Sequence, residues 1–232
     1  MNRNLYLSFL LITLTSLYSC RKDVASNPVV NLGYNYFPDE VGRFIIYEVD
    51  SIHYDDVGGF PRHISHYQMM DKIVEIFNDN SNRPTLRIER FKKFYNDTIP
   101  YANLDWNLVQ VLTANKTQTA LEVKEGNITF LKLTFPVKEK NQWNGNAYNS
   151  LGVKNYKIIG LDKPEIINSL EFDSVATVSH LEKINVIENR SEIEKFSRNV
   201  GIIYRQMDSL YFGNFKDTNG YHVVQKIISY GN

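Results

Sequence analysis

His53, His63 and His66 lie close together beside Asp55 and Asp56, and imidazole with carboxylate is ligand chemistry for a divalent metal. On a strand the three-residue spacing puts His63 and His66 on opposite faces, so a metal site needs His53 to reach across a hairpin. The competing reading is solvated histidines near a turn. We adopt it, and expect no metal and no cofactor. His180 and His222 stand alone. Nucleophilic catalysis lacks its parts, since the chain has no Gly-x-Ser-x-Gly elbow, no phosphate-cradling glycine loop and one cysteine. Carboxylates such as Glu122/Glu125 and Asp55/Asp56 are plentiful, and a glycosidase needs two at a set separation. Surface carboxylates are ordinary, however, so the expectation is a non-enzyme without catalytic residues, a carboxylate-dependent hydrolase being the lesser alternative.

Aromatic residues offer binding chemistry. Trp106, Trp143 and Tyr148, with Tyr156, could stack on sugar rings or line an apolar pocket. They could equally be core, which is where most large aromatics of a β-protein lie. Trp143 is the strongest exception, because Gln142 and Asn144-Gly145-Asn146 read as a polar loop around it. Four Asp-(Ser/Thr)-hydrophobe triplets present the hydroxyls of Ser51, Thr98, Ser174 and Ser209. Each resembles an acceptor for O-glycosylation of secreted Bacteroidota proteins. Turns that lead into β-branched strand residues generate the same triplet, and the two readings stay open.

One residue has chemistry tied to a compartment. Cys20 is the sole cysteine and closes Leu17-Tyr18-Ser19-Cys20 after an apolar run from Leu5 with Arg3 ahead of it. Thirteen residues of helix span about 20 Å, short of the ~30 Å bilayer core, so the run reads as a removable signal. Leucine at −3, serine at −1 and cysteine at +1 fit a lipobox, whose cysteine is acylated and becomes the mature N-terminus; Tyr18 is bulkier than usual at −2. Residues 1–19 are thus expected as signal peptide, 20–33 as lipidated cysteine and flexible tether, and 34–232 as one domain. The expected address is the cell envelope, as an outer-membrane lipoprotein held by fatty-acyl chains. Which face of the membrane it occupies is not fixed by the sequence. Cleavage leaves 25 basic and 26 acidic residues, a balance with no footprint for nucleic acid.

The elements that carry these residues read mainly as strands. Arg43–Tyr54, Tyr67–Phe77 and Thr85–Tyr95 alternate, the last two flanking the turn cluster 78–84. Trp106–Thr113, Thr119–Lys124, Ile128–Phe135, Val153–Leu161, Ser174–Lys183, Gly201–Phe212 and Tyr221–Tyr230 follow, with turns too brief for parallel crossovers. Ser191-Glu192-Ile193-Glu194 matches a capping box and predicts one short helix over 191–199. The fold class expected is mainly β: a single antiparallel, strongly curved sheet, as an open half-barrel or a sandwich.

The lipobox, Phe37-Pro38 with Gly42 and Phe44, Phe135-Pro136 with Trp143-Asn144-Gly145-Asn146, and Asn199-Val200-Gly201-Ile202-Ile203-Tyr204-Arg205 together resemble uncharacterised lipoproteins of the Bacteroidota. That resemblance implies a secreted β-rich fold similar to the half-barrels of lipoprotein carriers, whose concave face takes apolar ligands. It brings no catalytic residues. The expected function is a lipid-anchored, non-enzymatic envelope protein that meets the membrane through its anchor and binds an apolar, glycan or protein partner. A deep apolar cavity would favour the carrier. An exposed surface bearing Trp143 or Trp106 would favour a carbohydrate- or protein-binding accessory module.

Overall fold

A computed structural model describes residues 31–55, 62–212 and 218–232. The signal segment, Cys20 and Asp56 lie outside the described residues. Twelve strands follow one another: β1 (Phe44–Tyr54), β2 (His63–Asn78), β3 (Pro84–Phe94), β4 (Asn107–Lys116), β5 (Ala120–Glu125), β6 (Ile128–Thr134), β7 (Gln142–Asn144), β8 (Asn155–Ile167), β9 (Leu170–Ile184), β10 (Glu188–Ser197), β11 (Gly201–Phe212) and β12 (Thr218–Gly231). They form one antiparallel sheet in which β12 returns to pair with β1, from Phe44↔Gly231 to Tyr54↔Gly220.

Period-two patterning explains the strands. On β8, Tyr156, Ile158 and Gly160 are buried while Lys157 and Ile159 are exposed. Val123 beside Lys124, and Phe172 beside Glu171, repeat the rule on β5 and β9. Each large apolar side chain turned inward in this way contributes about 1.5–3 kcal/mol.

The curvature expected from sequence is present and goes further, to a sheet nearly closed into a barrel. Its edge strands are β6 and β7. The Leu131 amide donates to the Gly145 carbonyl at 2.8 Å, the Trp143 indole donates to the Leu131 carbonyl at 2.8 Å, and Asn149 Nδ2 donates to the Thr129 carbonyl at 2.8 Å. Trp143 therefore sits on a strand at the seam, and not in the polar loop expected for it. Gly145 is required there, because a Cβ would lie 1.7 Å from the Tyr156 ring. Six strands precede the cis Phe135–Pro136 bond and six follow it.

The helix expected over 191–199 is not formed. Residues 191–197 run along β10, paired to β9 on one side and β11 on the other, and 198–199 lie in the turn after it. Glu192, Glu194 and Phe196 are buried, while Ile193 and Lys195 are only half-buried. Pairing on both flanks satisfies the backbone, and interior cations accept the two glutamates. Tertiary context thus outweighs a local capping pattern.

Residues 32–43 pack against the barrel. A 3-10 turn, Tyr34–Tyr36, inserts Tyr36 completely, its hydroxyl donating to Asp162 at 2.7 Å and its ring 4.4 Å from the Arg198 guanidinium. The Val137 amide donates to the Leu32 carbonyl at 3.0 Å. The end of the expected tether is therefore docked on the domain.

Candidate functional site

Cross-strand register decides what faces the barrel interior. Ile45, Asp71 and Arg90 are successive partners across β1, β2 and β3, and Gln225, Arg205 and Glu194 across β12, β11 and β10. The result is a charged layer between apolar ones. Arg90 grips Asp71 with two hydrogen bonds of 2.7 and 2.8 Å. Lys132 Nζ lies 2.8 Å from Glu194, Arg205 binds Glu192 at 2.7 and 3.0 Å, and Lys154 binds Glu192 at 2.5 Å. Burial alone would raise the Glu192 carboxyl. Arg205, Lys132 and Lys154 outweigh it and hold that group far below the ordinary glutamate range. Burial pushes the nearby Tyr47 and Tyr156 hydroxyls up, so both stay protonated donors.

Little space remains within the charged layer itself, although a cavity of about 190 Å³ lies beside it against Lys154, His180, Glu192, Met207, Asp208 and Tyr221. A void of about 50 Å³ touches Arg90, Glu125, Lys132, Glu194 and Arg205, and a neighbouring one of about 70 Å³ shares Phe37, Asp71, Ile88 and Ile202 with it. Sites for small organic ligands run to about 300–1,000 Å³. An acyl chain in this layer would have to separate buried ion pairs, at several kcal/mol each.

A larger concavity lies on the outside. The β2–β3 hairpin tip folds over the outer face of β4, β5 and β6, enclosing about 400 Å³ lined by Phe77, Asp79, Arg83, Asn115, Glu122 and Lys124 with neighbouring Asn, Ser and Thr residues. Asp79 builds the tip, Oδ1 accepting from the Ser81 and Arg83 amides at 2.9 Å each. Those amides, with the Arg83 side chain, hold the Asp79 carboxyl below its ordinary range. Arg83 is the strut: Nε binds Asp79 at 2.9 Å and Nη1 reaches across to Glu122 at 3.0 Å. Buried Asn115 donates to Thr85 Oγ1 at 2.6 Å and to the Pro84 carbonyl at 3.0 Å. Sequence reasoning saw residues 78–84 only as a turn. The signal it passed over is the two-residue spacing of Thr113/Asn115 and Glu122/Lys124, which puts polar groups on one outer face.

The residues singled out from sequence are scattered. Trp143 stacks on Tyr156 with ring centres 5.8 Å apart, Trp106 lies under Lys93 Nζ at 4.8 Å, and Tyr148 is exposed in the loop after β7. Among the described residues no ring contact joins these three. Ser51, Ser174 and Ser209 are half-buried within β1, β9 and β11, and Ser174 also donates to Asp162. Thr98 is exposed in the β3–β4 loop, its hydroxyl turned to Asn96 at 2.7 Å. His53 and His63 are cross-strand partners, while His66 contacts Asp50 at 2.6 Å and Glu48 at 3.2 Å. The described residues hold no cluster of three or more metal-ligating side chains.

No family model matches the chain, and no curated protein matches it. Solved structures that match the chain include two from Bacteroidales. One, from Bacteroides fragilis, is described as an exported protein with a YmcC-like fold. It is 10% identical with a TM-score of 0.42, over 83% of this chain and 98% of that one. The other, from Parabacteroides distasonis, is described as a lipoprotein. It is 14% identical with a TM-score of 0.37, over 84% of this chain and 98% of that one. At those scores neither likeness bears on what this chain does.

Proposed function

We propose that this chain is a lipid-anchored protein of the bacterial cell envelope whose barrel binds a polar ligand on its outer surface, without catalysing a reaction. Cys20 carries the anchor, and Arg21 after it, which gives no signal for retention in the inner membrane, favours the outer membrane as the address. The observation behind the binding half is the contrast in space and chemistry: voids of about 50 and 70 Å³ in the charged layer and one of about 190 Å³ beside Lys154 and Glu192, none of them both large and apolar enough for an acyl chain, against about 400 Å³ of braced, polar cleft outside. That contrast favours an accessory binding module over a carrier of apolar ligands.

Amide chemical-shift mapping tests it. The isotopically labelled mature protein, in detergent micelles, is titrated with the water-soluble fraction of envelope extract from its native host. Shifts should gather at residues 77–85, 113–115 and 122–129. Shifts confined to the barrel interior, seen instead with the organic-soluble fraction, would restore the carrier reading.

A further inference from the structure

The balance of groups in the outer cleft narrows the ligand class. Its charges are Asp79 and Glu122 against Arg83 and Lys124, so the lining is neutral overall. Arg83 is already spent on Asp79 and Glu122. An anionic ligand would therefore find one lysine, and a cationic ligand would find carboxylates that already hold an arginine. The remaining groups differ in kind. Among the described residues the side chains of Asn80, Ser81, Thr113 and Thr129 line the cleft without a hydrogen-bond partner. Hydroxyls and amides each donate and accept, which matches partners that also do both. Phe77 stands at the edge, 36% exposed, offering an apolar ring face beside them.

Uncharged groups of dual hydrogen-bonding character, an aromatic face at the margin and a rigid floor together form a site for a polyhydroxylated ring with one apolar side. We infer that the cleft beneath the β2–β3 hairpin binds neutral carbohydrate, with Phe77 stacking on a sugar ring while Thr113, Thr129, Ser81 and Asn80 engage its hydroxyls. Arg83 and Asn115 are positioning residues that hold the hairpin against the sheet. This deepens the proposed function, resting on its cleft but not on the lipid anchor.

The test uses the mature full chain in detergent micelles on a printed array of neutral, uronate- or sulfate-bearing and amino-sugar oligosaccharides. Phe77→Ala and the shape-preserving pair Thr113→Val/Thr129→Val are run beside the wild type, each first shown to keep its urea midpoint. Binding to neutral glycans, weakened at least tenfold by Phe77→Ala and by the threonine pair, supports the inference. Preference for acidic glycans that is lost in Lys124→Ala overturns the neutral class and leaves the cleft standing. Neutral-glycan binding unmoved by any variant overturns the cleft itself. No binding to any glycan overturns the carbohydrate inference, and the shift mapping above then decides the cleft separately.

Discussion

Replacing Lys132 with methionine should expose how strongly the barrel interior depends on pairing. Lys132 is 4% and Glu194 1% exposed, and their charged atoms lie 2.8 Å apart. The second oxygen of Glu194 has no partner, and its remaining cation is Arg205 at 3.3 Å, which is shared with Glu192. Lys132→Met keeps the shape but strands a buried carboxylate on half a guanidinium. Breaking a buried pair costs about 3–5 kcal/mol, and the residual arginine contact places this case near 3. For a domain of this size that corresponds to a fall in Tm of roughly 6–12 °C. The Lys132→Met/Glu194→Met double variant removes both charges and should recover most of the loss, since apolar replacement of a whole buried pair is near neutral. Urea unfolding at pH 7, with unchanged slope across the set, gives the coupling energy directly. A single variant within about 1 kcal/mol of wild type, or a double variant as weak as both singles summed, would refute the reasoning.

Gly145→Ala drives a methyl carbon into the Tyr156 ring at the barrel seam; we expect a loss of roughly 2–4 kcal/mol by urea unfolding, more than an exposed Gly126→Ala shows, with protection of the Leu131 amide lost first in hydrogen exchange. Acid should unfold the domain. Glu192, and Asp162 held down by its hydrogen bonds from Arg198, have folded values below their unfolded ones, so their stabilisation is complete above about pH 4.5 and declines as pH falls further. The urea midpoint followed from pH 7 to 3 should therefore be flat and then drop, and Asp162→Asn should flatten the drop. Intact mass of the protein from its native host should show residues 1–19 removed and fatty-acyl chains on Cys20, and Cys20→Ser should retain Met1 and lose the acyl mass; wild-type protein with Met1 present and an unmodified cysteine would remove the anchor from the account.

Much of the fold was legible because period-two alternation is local. Arg43–Tyr54 and Gly201–Phe212 read directly as β1 and β11, and the turn cluster at 78–84 separated β2 from β3. Barrel closure was not legible, since β12 meets β1 from the opposite end of the domain, and the β6–β7 seam is held by an indole, an amide side chain and one backbone bond with no strand alternation to announce it. β10 was misread for a physical reason: Glu192 and Glu194 look like surface residues until Lys132 and Arg205 arrive from other strands and Lys154 from the segment before β8. Trp143, with polar neighbours on both sides, looked like a loop residue for the same reason, its partner Tyr156 lying on the next strand. The outer cleft draws on three strands and a hairpin, so no single stretch of sequence announced it.

A high-resolution crystal structure of the mature protein purified from its native host tests the central claim most directly. The account predicts water alone among Asp71, Arg90, Lys132, Glu194 and Arg205, and any bound organic density under the β2–β3 hairpin. An acyl chain threading the charged layer, with those ion pairs pulled apart, would contradict it.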